Sequence, residues 1–199
     1  SNGMWTGRSK QGHLAWGKSI LNSSGITDFN LDTVNDINLW RSFSVDQESY
    51  NSGLPNSGCN VKCYTDGSKF SGRTGYGFVI TRDSKEVKSD NGYLGTQTTV
   101  FQAEITAIQK CAEALAEEEF ISEAIIYSDS QAALSAITSL KIKHKTVQNC
   151  ISALNNVSKE KKVTLAWVKA HAGHPGNELA DHLAKTGTTN TNNTVVLPN

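Results

Sequence analysis

The strongest constraint on this chain is an ordered change of hydrophobic period. Three alternating runs come first, Val61 to Thr65, Gly75 to Thr81 and Glu86 to Leu94, joined by turns containing Gly and Asp. Short turns return a strand beside its predecessor, so this spacing predicts an antiparallel meander. From Phe101 to Glu119 the apolar residues switch to helical spacing. Ala124 to Ser128 reads as a short strand, Ser130 to Ser139 and Lys145 to Val157 as helices, Val163 to Val168 as a last strand, and about Asn177 to Lys185 as a last helix. The order βββαβαβα predicts an α/β domain with a mixed sheet and helices on its faces.

That domain spans residues 59–187 of the 199-residue chain. Ahead of it, residues 1–58 are rich in Ser, Asn, Gly and Asp and end in a turn-rich stretch, Asn51 to Gly58. They read as a partly ordered extension or connection. Trp5, Trp16, Ile20, Leu21, Ile37, Leu39, Trp40 and Phe43 are unfavourable to leave in water, so parts of it are expected to pack on the main domain or a neighbour. Thr27 or Asp28 is placed to cap a short helix running toward Trp40. Ser1-Asn2-Gly3 before Met4 reads as a cloning remnant, and the Asn/Thr-rich residues 188–199 as a flexible tail.

The formal net charge is zero, so any nucleic-acid surface must be a local patch. Cys59, Cys63, Cys111 and Cys150 form no CxxC pair and read as reduced thiols. With no long apolar run or signal-peptide core, an intracellular location, cytoplasmic or nuclear, and no membrane partner are expected.

Four carboxylates stand where the chain is expected to change direction: Asp66, Glu104, Asp129 and Asp181. Each has an ordinary alternative: a turn for Asp66-Gly67, a capping-box acid for Glu104, an N-cap for Asp129, an exposed helical position for Asp181. Glu104 fits its alternative worst, because it shares a helical stripe with Ile108, Cys111 and Leu115 and should point to the sheet. A buried charge needs a partner, and converging carboxylates need a cation. Mg²⁺ suits such oxygen ligands. Phosphoryl transfer or phosphodiester hydrolysis on two metals is the chemistry implied.

Four segments resemble a type 1 ribonuclease H domain over about residues 59–187: Tyr64-Thr65-Asp66-Gly67-Ser68, Ala103-Glu104, Ser128-Asp129-Ser130-Gln131, and the long block Trp167 to Asp181 containing His171-Ala172-Gly173-His174. The Phe101-Gln102-Ala103-Glu104 spelling and the compact stretch from Asp129 to His171 are most similar to the domain of non-LTR (LINE-type) retrotransposons. The resemblance implies a ribonuclease H-like fold, a mixed five-stranded sheet of three antiparallel and then two parallel strands, with helices on both faces. It implies endonucleolytic cleavage of the RNA strand of RNA:DNA hybrids with two Mg²⁺ ions, Mn²⁺ being able to substitute. An upstream reverse transcriptase is the implied partner, with residues 1–58 as the connection.

By the same resemblance, Asp66 bridges both ions, Asp181 completes the site that activates water, and Glu104 and Asp129 hold the ion near the leaving 3′ oxygen. His171 handles a proton or aids product and metal departure. Gly67 and Ser68 bring backbone near the RNA, Glu104 and Gln131 read 2′-hydroxyls, and Thr99 contacts a DNA-strand phosphate. Val100 departs from the Asn of many cellular relatives. His174 reads as a loop-packing histidine, since Mg²⁺ favours oxygen. Trp167 reads as core. Lys141, Lys143 and Lys145, and the second cluster Lys159, Lys161 and Lys162, are either solvated surface or phosphate contacts. A non-catalytic binding domain, a cellular ribonuclease H, and a strand-transfer enzyme of the same superfold are the alternatives. The four acids argue against the first, and the His-Ala-Gly-His loop against the last.

Overall fold

The computed structural model describes residues 40–52 and 58–198. The possible helix after Thr27 or Asp28 and the apolar residues from Trp5 to Leu39 lie outside these. Six strands, β1 (Ser44–Asp46), β2 (Val61–Phe70), β3 (Arg73–Arg82), β4 (Lys85–Gly95), β5 (Glu123–Ser128) and β6 (Lys162–Trp167), form one sheet in the order β1-β6-β5-β2-β3-β4. The helices are α1 (Ser49–Ser52), α2 (Val100–Glu117), α3 (Gln131–Thr138), α4 (Lys145–Val157) and α5 (Pro175–Gly187). β2, β3 and β4 are antiparallel, while β2-β5 and β5-β6 are parallel, giving the expected mixed sheet.

The expected five strands become six because β1, from the N-terminal segment, pairs in parallel with β6. Without β1, the outer edge of β6 would present unpaired backbone groups. Phe43, just before β1, is buried in the main core, whereas Trp40 is 80% exposed and does not pack as expected.

Side-chain alternation sorts the two faces. Cys63, Ile126 and Leu165 point into a core shared with Ala103, Ile108, Leu134, Ile151 and Leu154, so α2, α3 and α4 cover one face. Their neighbours Tyr64, Tyr127 and Ala166 point to the opposite face, where Ala180 and Leu183 of α5 meet them. The capping box predicted as one option for Glu104 is instead made by Thr99 and Gln102: Thr99 Oγ1 accepts from Gln102 N–H at 3.1 Å, and Gln102 Oε1 accepts from Thr99 N–H at 3.0 Å.

The segment read as a loose tail is tied to the sheet. Arg73 Nε donates to Thr188 O at 2.8 Å. Tyr93 N–H donates to Asn193 O at 2.8 Å, and Val195 N–H donates back to Tyr93 O at 2.9 Å, extending the ladder beyond β4. Among the described residues no helix is long and apolar enough to cross a membrane.

Candidate active site

Asp66 does not end its strand as the sequence suggested. β2 continues to Phe70 against β3, but its pairing with β5 stops at Thr65↔Ser128. The parallel pairing therefore ends immediately before Asp66 and Asp129, which stand side by side beyond it. Ser130 takes the N-cap position of α3, accepting from Ala133 N–H at 3.2 Å, which leaves the Asp129 side chain free of that task. Glu104 reaches the same place from the first turns of α2.

Oxygens of Asp66, Glu104 and Asp129 lie within 4.8 Å of one another. Asp66 and Glu104 are buried, Asp129 is half-buried, and Glu104 Oε2 accepts no hydrogen bond. Burial, with the Asp129 charge second, pushes the Asp66 carboxyl up to about 7. Burial and the Asp66 charge hold Glu104 well above the ordinary range. Asp129 is raised by burial and lowered by the Asn177 amide and His171. A carboxylate oxygen buried without a donor, among acids that repel one another, fits a divalent cation.

Asp181 stands at the margin of this group. Its Oδ2 accepts from Lys185 Nζ at 2.6 Å, one helical turn later, and it is not among the three carboxylates that converge. Its charge still raises both Asp66 and Asp129. His171 is exposed in the loop before α5 with φ of 51°, and His174 occupies the N-cap position of α5.

Two residues with no assigned role hold Asp129. Asn177 is buried, and its Nδ2 donates to Asp129 Oδ2 at 3.3 Å while its Oδ1 accepts nothing. Asn177 falls on the buried stripe of α5 with Ala180 and Ala184, and a polar residue on such a stripe was the available signal. Trp167 is half-buried and packs against the main core as expected, and its Nε1–H donates to Asp129 O at 3.0 Å.

The expected contact residues separate. Gly67 lies against α2: a Cβ there would stand 2.5 Å from Glu104 N and 2.8 Å from Ala103 Cβ. Ser68 is half-buried, and Gln131 is exposed at the start of α3. Thr99 is exposed, with its hydroxyl engaged in the cap. Lys141 and Lys143 line a groove of about 380 Å³ with Phe101 and His144. Lys145 Nζ donates to Gln148 Oε1 at 3.1 Å. Lys161 leaves the second cluster: it is buried, and its Nζ donates to Glu118 O and Ile121 O at 2.7 and 2.9 Å. These carbonyls just past α2 are electronegative, which explains its burial there. Lys162 pairs with Glu123 at 2.8 Å.

The raised carboxyls predict a pH dependence in the absence of metal. An acid whose pKa is higher folded than unfolded favours folding while protonated. For Asp66 that contribution is whole below its ordinary 3.8 and is lost as pH rises through about 7. In EDTA, the thermal midpoint is expected to fall between about pH 5.5 and pH 8, and an added divalent cation is expected to oppose the fall. Thermal unfolding across this range, with and without cation, checks both signs.

The RNase H family model matches residues 59–189, and the chain belongs to that family. It is 32% identical over 144 residues to ribonuclease HI of Haemophilus influenzae, covering 65% of this chain and 90% of that protein. It is 35% identical over 144 residues to ribonuclease H of Actinobacillus pleuropneumoniae, covering 65% and 91%. The crystal structure of RNase H1 from Halobacterium salinarum superposes with a TM-score of 0.53 at 20% identity, over 64% of this chain and 96% of that one, a likeness of fold. With this family and these relatives, the protein is a ribonuclease H enzyme.

Proposed function

We propose that the domain hydrolyses the RNA strand of RNA:DNA hybrids endonucleolytically, using Asp66, Glu104, Asp129 and Asp181 to hold two Mg²⁺ ions. The convergence of the first three carboxylates around an unpartnered Glu104 oxygen carries this reading. When bound, the ions supply charge stabilisation at the attacking and departing oxygens of the phosphodiester. Asp66 lies within reach of Glu104 and Asp129 and feels the charge of Asp181, and by the resemblance it would contribute to holding both ions. Asp181 joins them by leaving Lys185, an exchange that a surface ion pair permits at small cost. Incubation with labelled hybrid, duplex RNA and duplex DNA, in Mg²⁺ or EDTA, tests the reading: cleavage confined to the RNA of the hybrid and abolished by EDTA is expected.

His171 sits in an exposed loop near enough to Asp129 to influence its charge, which suits transfer of a proton at the scissile phosphate or assistance to departure. His171→Ala is expected to lower turnover by ~10² to 10⁴-fold with cation-dependent activity surviving. Single-turnover and steady-state rates on the hybrid separate the two roles, because equal losses in both exclude a release function.

Lys141 and Lys143, on the groove beside Phe101, and Lys145 are the proposed phosphate contacts. Replacing all three with Ala is expected to weaken hybrid binding with kcat at saturation near wild type, because uniform binding is removed. Each lost contact should lower the slope of log K against log salt by roughly 0.7 to 0.9. An unchanged slope would return these lysines to solvated surface.

The Phe101 to Glu104 spelling and the short span from Asp129 to His171 favour a retrotransposon origin, with an upstream reverse transcriptase. The bacterial relatives favour the second reading, a cellular ribonuclease H. The upstream reading frame of the gene decides between them.

A further inference from the structure

The family match begins at residue 59, yet residues 41–50 are linked through Trp167 to the main-chain carbonyl of Asp129. Arg41 anchors one end, its Nε and Nη2 donating to Ile137 O and Ser139 O at 2.7 and 2.5 Å. β1 then lies along β6 in the register Ser44↔Thr164 to Asp46↔Ala166. Ser49 is fully buried, and its hydroxyl donates to Asp46 O at 2.6 Å and accepts from Trp167 N–H at 2.9 Å. Tyr50 stacks on the Trp167 indole, with ring centroids 6.1 Å apart and planes 2° from parallel. From the indole, Nε1–H reaches Asp129 O at 3.0 Å.

Each link constrains the next. Asp129 lies on the connection between β5 and α3, just beyond the last parallel pair, so the ladder does not fix its carbonyl. A half-buried indole at the end of β6 has several rotamers open to it. The Tyr50 ring favours one, and the Ser49 hydroxyl holds the Trp167 backbone from which the indole projects. We propose that Arg41–Tyr50 is a positioning strap for the metal site, in which Ser49 and Tyr50 hold Trp167 and Trp167 holds Asp129. The proposal rests on reading the carboxylates as metal ligands. It makes part of the N-terminal extension a working component of the nuclease.

The test uses the full chain. Trp167→Phe keeps a ring beneath Tyr50 and removes the Nε1–H donor; Ser49→Ala removes the hydroxyl; Tyr50→Ala removes the stack and Tyr50→Phe retains it. Mn²⁺ affinity is measured by calorimetry without nucleic acid, and kcat and KM on the hybrid. Trp167→Phe, Ser49→Ala and Tyr50→Ala are each expected to lower ion affinity and kcat by about 10-fold, the lower end for groups that orient a metal ligand, with KM little changed. Tyr50→Phe should match wild type. Ser49→Ala combined with Trp167→Phe should lose no more than the larger single loss, because both act through one contact.

Unchanged affinity and kcat in folded Trp167→Phe, or additive losses in the double variant, would overturn the strap. If Tyr50→Ala does not fold, Trp167→Phe decides. A wild-type chain that binds Mn²⁺ in a strap-dependent way but leaves the hybrid intact defeats the proposed function and keeps the strap. Hybrid cleavage indifferent to all three losses defeats the strap alone.

Discussion

Asp66→Asn is expected to fold normally and to cleave RNA:DNA hybrids ~10³-fold or more slowly, about 4 kcal/mol of lost transition-state stabilisation. The amide is nearly isosteric, so packing around β2 should persist. What changes is charge, at a buried carboxyl that feels all three other acids. Removing it relieves repulsion, so the metal-free variant should melt at or above wild type at neutral pH, and the pH dependence of the midpoint should flatten. Cleavage rates in Mg²⁺ and melting in EDTA check the two halves separately. Near wild-type turnover would remove Asp66 from the site.

Gly67→Ala is expected to lower both stability and turnover, for a different reason. The added methyl would meet backbone of α2, Glu104 N at 2.5 Å and Ala103 C at 2.8 Å, and a helix backbone cannot step aside as a flexible side chain can. Overpacking of this kind typically costs about 1–3 kcal/mol. The methyl also pushes where the site is tightest. Gly67 N–H donates to Asp66 Oδ1 at 2.9 Å and lowers the Glu104 carboxyl, so it faces both acids. A displacement near 1 Å between reacting groups can lower turnover by ~10²-fold. A lower melting temperature with reduced kcat at saturating hybrid is the expected result. If KM alone changes, the contact with RNA backbone implied by the resemblance accounts for Gly67 better than its packing on α2.

Much of this was legible because it depends on side-chain period. Cys63 and Tyr64 are adjacent and belong to opposite cores, as a strand requires. Glu104 could be placed toward the sheet by its stripe, and burial followed. What escaped depended on partners distant in sequence. The second half of β2, Gly67-Ser68-Lys69-Phe70, has little strand character of its own and is held by β3. Ser44-Val45-Asp46 offers one apolar residue, and the open edge of β6 makes it a strand. Lys161 looks like its neighbours in a basic run, yet carbonyls 40 and more residues away take it out of solvent. The Asp181–Lys185 pair was open to helical spacing, but that Asp181 would stand outside the group formed by the other three acids was not.

Within the family-matched residues the sheet would end at β6 and β4, and both of these strands meet chain lying outside residues 59–189. β1 lies before residue 59 and runs along β6, while Asn193 and Val195, past residue 189, bond to Tyr93 of β4. A piece trimmed to the family boundaries would present the β6 edge, with its Val163, Leu165 and Ala166, as a ready template for another chain. The segments at the two ends of the described chain thus act as selvedges: the margins become a three-residue strand and an irregular strip bonded at Tyr93, a poorer seam for a neighbour to be stitched to than bare β6 and β4.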